Sequence, residues 1–417
     1  MIRTSPTLRR DEGAVLIHVA FALIGLFAFS AFAIDYGLLW TSRRMAQNAA
    51  DAGALAGAVA MAYDSSDRTD TGPIKLVARA MTQRHVVFGE APFVSISRDI
   101  TFPTCPDGTN NCIRVDVYRD VANANPLPAF FGVLFGRTTQ NMKATATAEV
   151  ATASATDCLK PWAVIDKWAE HWPTTKPWDI TATFDKYDKF GEIDTSITTP
   201  DVYIPPYYAD PVTDLSFGTG FHPYNVDKTY SPDYGLQLKL KVGDKSDFSY
   251  ATGWFSALAL FDSKGGKDYL NNIKGCVGTI YKIGDVLPID TEPGEKVGPT
   301  RQAVEDDTDS LVNQDKDAFW NQSLNGGRGG VDGSKFGNGS PRIVAIPVVN
   351  PDIMTEVQKG GRTDVPIVNI IGFFVEGYDN SEKSVVGRLM TMPGLFVAGT
   401  PGGPTAGSFL QSIVLVR

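Results

Sequence analysis

Residues 14–34 are apolar at every position except His18 and Ser30. Roughly 20 such residues in a helix cross the hydrocarbon core of a bilayer. Asp35 closes the run, Tyr36 and Trp40 stand where an interfacial aromatic belt would, and Arg43 and Arg44 follow just beyond. From Met45 the composition changes, but good helix formers continue, and no proline interrupts between Ala14 and Pro73. The pattern predicts one helix, its first half in a membrane and its second half emerging to about residue 63.

The emerging half carries rows of small residues. Ala46, Ala50, Ala54 and Ala58 recur every fourth position, as do Ala49, Gly53 and Gly57. Rows at that spacing line one side of a helix and permit close backbone approach. Each glycine costs about 1 kcal/mol against alanine in a helix interior, so close packing is the natural compensation. The expectation is that this face packs on the protein's own globular part; contact with another chain's helix is the alternative.

Downstream, the polar residues 64–72 predict a turn. Residues 73–87 have helical spacing through Ile74, Val77, Ala78, Met81 and Val86. Residues 93–97, 112–118 and 142–150 alternate apolar and polar positions, the mark of half-buried strands. Residues 126–135, PLPAFFGVLF, form a compact apolar segment that predicts a short helix. Further on, residues 235–242 alternate cleanly, and residues 300–324 read as an acidic helical stretch with Val304, Leu311 and Phe319 inward. Residues 342–349, 367–375 and 409–416 are the most apolar strand-like runs and predict the centre of a distal sheet. The fold class is α+β. It comprises a segment 1–13, an anchor at 14–40 whose helix continues to about 63, a small antiparallel-sheet domain at 64–155, and a larger β-rich domain at 156–417.

A length of 417 residues fits two soluble domains plus an anchor, and 40 Gly with 26 Pro suit a loop-rich, β-containing structure. The net charge of −9 is unevenly placed: residues 1–157 hold 14 basic and 14 acidic side chains, residues 158–417 hold 24 and 33. The acidic distal part argues against nucleic-acid binding. The apolar run is too long for a cleaved signal peptide's core, and helix continues where cleavage would fall, so it reads as a signal anchor. Arg3, Arg9 and Arg10 precede it, which favours the N-terminus inside, although Arg43 and Arg44 follow closely.

All four cysteines lie beyond the span. Cys105 and Cys112 flank a turn-rich hexapeptide suited to a local disulfide, and a bridge between Cys158 and Cys276 would close a long loop. Two disulfides imply an oxidising compartment. A zinc site is not indicated, since no CxxC pair exists and only four His occur.

No catalytic constellation emerges. His18, His85, His171 and His222 fall in no nucleophile elbow or HExxH motif, and His18 sits within the apolar run, where an ionisable group would ordinarily suggest function. Residues 194–198 have the DxSxT form of a metal-ion-dependent adhesion motif, but no buried hydrophobic strand precedes them. Asp306, Asp307, Asp309, Asp315 and Asp317 lack the turn glycine of an EF-hand and read as a solvated helix face. The Gly-rich residues 325–339 lack the Lys-Ser/Thr of a P-loop and read as a flexible surface loop, open to a partner. Trp162, Trp168, Trp172, Trp178, Trp254 and Trp320, with the Pro/Tyr cluster at 203–208, would suit carbohydrate or protein contact if exposed. Core and loop anchoring is the commoner fate of such residues. No cofactor is indicated.

The order of basic residues, apolar run and Asn-Ala-Ala-Asp resembles the N-terminal region of the TadG proteins of Tad-type (Flp) pilus assembly. The matching residues are Arg10, Gly13, Asp35, Gly37, Arg43, Arg44, Gln47, Asn48, Ala49, Ala50, Asp51 and Ala52. Less specific similarity continues to about residue 153, and the remainder resembles the extracytoplasmic part of some of these proteins through residues 158–163 and 298–300. The resemblance implies a pilin-like proximal domain and an accessory, minor subunit of pilus assembly. Such a subunit would act by protein–protein interaction with other pilus-assembly subunits, at the bacterial inner membrane, with its C-terminal domains outside the cytoplasm. Prepilins are cut after a glycine with glutamate at the fifth residue beyond; Gly13 follows basic residues, but the fifth residue after it is His18. That departure suits an uncleaved anchor. Asp35 either meets a basic group of a neighbouring subunit or simply ends the apolar run in water, the second being favoured. Two other functions stay open: an envelope adhesin or glycan-binding protein, which needs an exposed aromatic cluster, and a membrane-anchored hydrolase, which needs converging carboxylates in a cleft.

Overall fold

The structure is a computed structural model that describes residues 12–63, 67–106, 110–171, 178–186, 192–205, 218–224, 230–242, 254–260, 265–289, 296–353, 363–397 and 408–416. The chain forms two compact units: Met1–Ala60, Asp67–Glu149 and Val414–Arg417 make the first, Met61–Ser66 and Val150–Ile413 the second. The division falls after Glu149, within the strand Met142–Thr152. The segment 1–11 and the Arg3, Arg9 and Arg10 charges lie outside the described residues.

The first unit is built on one helix, α1 (Glu12–Tyr63), 52 residues long. Residues 15–34 are exposed except Ala31, including Phe21, Leu26, Phe27, Phe29 and Phe32, whereas Ala46, Ala49, Ala50, Ala54 and Ala58 are fully buried. The second helix, α2 (Pro73–Arg84), starts with proline at its first turn, where a missing N–H costs nothing, and buries Ile74, Ala78 and Thr82 along one stripe. It ends three residues before the predicted Val87. Strands β1 (Cys112–Arg119) and β2 (Met142–Thr152) pair antiparallel, with Ile113 opposite Ala148, Val115 opposite Ala146 and Val117 opposite Ala144. All six of these side chains are buried, and Arg114, Asp116, Thr145 and Thr147 on the other face are only partly so. This is the period-2 signature of a sheet with one covered face.

Two predicted elements of this unit differ. Around residues 93–97 only Phe93 bridges to Tyr118, and Ile96–Asp99 turns into a single helical turn, with Ser95 N donating 2.8 Å to the Asp99 carboxylate. Residues 126–135 are not one helix: Leu127–Pro128 pairs with Thr139–Gln140, and only Gly132–Phe135 makes a 3₁₀ turn. Two prolines in the first three residues deny that segment the donors a helix needs.

The second unit is organised around a closed ring of strands. These are β3 (Trp162–Ile165), β4 (Gln237–Val242), β5 (Trp254–Ala257), β7 (Ile343–Val349), β8 (Thr363–Asp379) and β9 (Ser384–Met390). β7 pairs with β8, β8 with β9, β9 with β4, β4 with β5, β5 with β3, and β3 back to β7. A further strand, β6 (Val286–Ile289), extends the wall by pairing with the start of β8. β7 is buried at all seven positions and β3 at all four, so their continuous apolar runs reflect cover on both faces. Helix α3 (Gly266–Lys274) supplies part of that cover through Tyr269 and Ile273, the Tyr269 hydroxyl accepting from Trp162 Nε1 at 3.2 Å.

The last strand, β10 (Leu410–Val416), is not in this ring; its start pairs in parallel with Met392–Pro393. Apolarity alone could not tell membership of one sheet from another. The acidic stretch 300–324 is likewise broken, into Val297–Arg301, a wide turn at Gln302–Asp306, Leu311–Gln314 and a strand Phe319–Asn321. That strand forms a hairpin with Gly330–Asp332, so the Gly-rich loop is held in place, with Gly329 against the Trp320 ring, where a Cβ would meet Nε1. Its φ of +92° is one that glycine alone adopts without strain.

Candidate functional site: the anchor helix and its clasp

Along α1 the motif residues divide by role. The first half, from Val15, is almost wholly apolar and exposed, as suits a helix that crosses a membrane. Phe32, Tyr36 and Trp40 are exposed at the far end of the run, Phe32 stacking on Tyr36 at 5.9 Å and Arg44 lying 4.4 Å over the Trp40 ring. Arg43 and Asn48 are exposed. Gln47 donates 2.8 Å to Asp51 one turn on and 2.9 Å to the Thr145 carbonyl of β2, which ties the helix to the sheet. Gly13 belongs to the helix.

The small-residue face lies on α2 and β1. A Cβ added at Gly53 would sit 1.9 Å from Thr82 Oγ1 and 3.1 Å from the Ala78 carbonyl oxygen, and one at Gly57 would sit 2.4 Å from Ile113 Cδ1 and 3.0 Å from Ala78 Cβ. The glycines therefore let three elements meet at backbone distance.

Asp35 does something that neither sequence reading anticipated. Its carboxylate accepts from three consecutive backbone amides: Phe130 N at 2.9 Å, Phe131 N at 3.2 and 3.1 Å, and Gly132 N at 2.6 Å. These are the N–H groups at the head of the 3₁₀ turn, which have no partner within the turn and suit an anion. The run PLPAFFGVLF is thereby clasped to the helix. The sequence signal was present in a lone carboxylate after an apolar run and a Pro-flanked apolar loop, but they are 95 residues apart.

In the first unit, Cys105 and Cys112 form a disulfide with Cα atoms 5.4 Å apart; in the second, Cys158 and Cys276 do so at 4.5 Å. The grouping of Cys105, Cys112 and Glu149 therefore offers no thiolate to a metal. Beside the second bridge, the buried Lys160 ammonium donates 2.6 Å to the Gly275 carbonyl at the end of α3, and burial pulls its pKa down to about 7.

The distal unit also gathers carboxylates near the end of β3. Asp166 is fully buried and accepts from Phe221 N at 2.8 Å, Tyr203 Oη at 2.8 Å and Lys167 N at 2.9 Å; burial pushes its pKa up to about 6. Asp233 pairs with Lys167 at 2.6 Å, and Asp201 accepts from the amides of His171 at 2.7 Å and Asp185 at 2.6 Å. Glu170, His171 and Asp201 bring ligand atoms within 4.8 Å of one another, a set that would suit a small cation. Glu170 accepts from Trp168 Nε1 at 2.7 Å and Asp201 from two amides, so these groups already have structural work. Asp194 accepts from Ser196 N at 2.9 Å in a local turn, and residues 187–191 before it lie outside the described residues. Of the acidic run, Asp309 is held by Lys274 at 2.5 Å and Asp315 accepts from Ser334 and Ser340, each at 2.6 Å.

The aromatic residues are largely internal. Trp162 and Trp168 are buried, Trp168 packs edge-on to Trp178 and Phe184, and Trp320 leans on Phe374. Trp172 and residues 206–208 of the Pro/Tyr cluster lie outside the described residues, as does the Trp254 side chain. An exposed tryptophan cluster is thus not formed by the described residues of this unit.

No curated protein and no solved structure matches the chain. Residues 13–60, the stretch that holds the apolar run, Asp35 and the small-residue face, match the family model of Flp pilus-assembly TadE/G-like proteins.

Proposed function

We propose that the protein is a membrane-anchored accessory subunit of Tad/Flp pilus assembly, minor and pilin-like, acting through protein–protein contacts and not by catalysis. The observation that carries this reading is the division of α1 within the matched residues 13–60: an exposed apolar half, and a half packed on the protein's own sheet domain. A helix of this kind holds a folded domain at a fixed height above a bilayer, which an assembly subunit requires. The N-terminus lies in the cytoplasm and both units outside it. Three Arg precede the span, and the disulfides of both units belong in an oxidising compartment. The exposed Arg43 and Asn48, just past the span and unused in packing, are the surface on which neighbouring subunits meet the helix.

A photo-crosslinking residue at Asn48 in the full-length protein, in its native membrane, tests this. Adducts with other Tad/Flp components are expected. Efficient insertion with adducts only to unrelated envelope proteins would refute the assembly role.

A further inference from the structure

Four apolar side chains cluster where α1 meets the clasped loop. Phe130 is 57% exposed, Phe131 38%, Val133 53% and Phe88 38%, with the Phe88 and Phe130 rings 6.3 Å apart in an edge contact. Soluble surfaces rarely display aromatic groups contiguously. Their height along the helix is set by Asp35, whose carboxylate holds the amides of Phe130, Phe131 and Gly132. Residues 14–35 of a helix rise about 32 Å, close to the ~30 Å hydrocarbon thickness. Asp35 therefore marks the far boundary of the span, level with the exposed Phe32, Tyr36 and Trp40.

Two devices present these rings at that level. Arg119, buried at the end of β1, donates to the carbonyls of Val87 at 2.5 Å, Asn125 at 3.0 Å and Pro126 at 3.2 Å, so one guanidinium anchors both segments. Phe88 and Gly89 form the tip of the tight turn between Val87 and Glu90, with φ of +51° and +83°. Asparagine or glycine would relax the first position; a phenylalanine there is strained and points to a role outside the fold. Exposed Arg137, just after the 3₁₀ turn, suits the headgroup layer.

We propose that Phe88, Phe130, Phe131 and Val133 form a second membrane contact, a shallow aromatic wedge seated in the outer bilayer interface beside α1. The wedge gives the first unit two points of attachment and so stops it rotating about the helix axis. It rests on the membrane-anchor reading, and the test separates the two.

The full-length protein is reconstituted in phosphatidylcholine vesicles with a single added cysteine carrying an environment-sensitive fluorophore, at Val133→Cys or at Leu26→Cys. The four native cysteines are bridged and do not label. The Val133 probe is expected to be quenched by lipids spin-labelled near the headgroup and shielded from aqueous iodide, and the Leu26 probe by lipids labelled at the bilayer centre. Phe88→Asn combined with Phe130→Ser should lower lipid quenching at position 133 severalfold and leave Leu26 unchanged. A Val133 probe that iodide quenches freely, with Leu26 still in the bilayer, overturns the wedge alone. A Leu26 probe outside the bilayer overturns the anchor, and the wedge with it.

Discussion

Replacing Gly53 and Gly57 by alanine separates local from tertiary reasoning. Helix propensity alone says that each change stabilises α1 by about 1 kcal/mol, hence about 2 kcal/mol for the pair. The packing says the opposite. At Gly53 a methyl group would displace Thr82 Oγ1 from a site 1.9 Å away, and would still press at 3.1 Å on the Ala78 carbonyl, which is backbone and cannot move. Turning Thr82 away also breaks its 2.9 Å bond to that carbonyl, a loss of about 1 kcal/mol. At Gly57 the methyl would meet Ile113 Cδ1 at 2.4 Å and Ala78 Cβ at 3.0 Å, both fully buried. Overpacking of this sort costs about 1–3 kcal/mol per site. The pair together should therefore destabilise the first unit by roughly 1–5 kcal/mol, once the lost hydrogen bond is added and the propensity gain deducted. Amide hydrogen exchange of the full chain in nanodiscs gives the readout, at Ile113, Val115 and Val117 of β1. Exchange there should accelerate by about 5-fold at the least and up to roughly a thousandfold or more in the double variant. Slower exchange than in the native protein would refute close packing of this face.

Asp35→Ala should speed exchange at Phe130, Phe131 and Gly132 by about tenfold while leaving β1 unchanged, since the loop loses its clasp and not its sheet. Cys158→Ser with Cys276→Ser removes a bridge that closes a separation of 118 residues and should cost about 4–5 kcal/mol, against about 2 kcal/mol for Cys105→Ser with Cys112→Ser across 7, read as the drop in unfolding midpoint. For Asp166, burial holds the folded carboxyl at about 6 against 3.8 in the unfolded chain. Between those values the folded state keeps a proton that the unfolded state gives up, so stability falls as pH rises through about 6. Asp166→Asn should abolish that fall, gaining about 3 kcal/mol on the native protein between pH 4 and 7; a pH-independent difference in urea denaturation would contradict the buried assignment.

The sequence by itself determined the elements whose signal is local. The apolar run, the continuation of the helix past Trp40 without proline, and the alternation of residues 112–118 and 142–150 each report the environment of one segment through its own periodicity. The α+β plan, a long helix followed by a larger β-rich region, is therefore written in spacing alone. Spacing also said which side of α1 carries the small residues, and only the tertiary structure decided that Ala78, Thr82 and Ile113 lie against it. The same limit explains the errors. Residues 300–324 have helical composition, but Asp315 is drawn into hydrogen bonds with Ser334 and Ser340, and Arg342 takes up the carbonyls of Asp315 and Ala318. Those partners lie beyond any helical window. β10 is apolar at five of its seven positions and β7 at all seven, yet which sheet a strand joins depends on partners outside the segment, a non-local choice that composition does not record. The Asp35 clasp is the clearest case: a carboxylate that looks like the end of a membrane span becomes a binding site for three amides only once the chain returns 95 residues later.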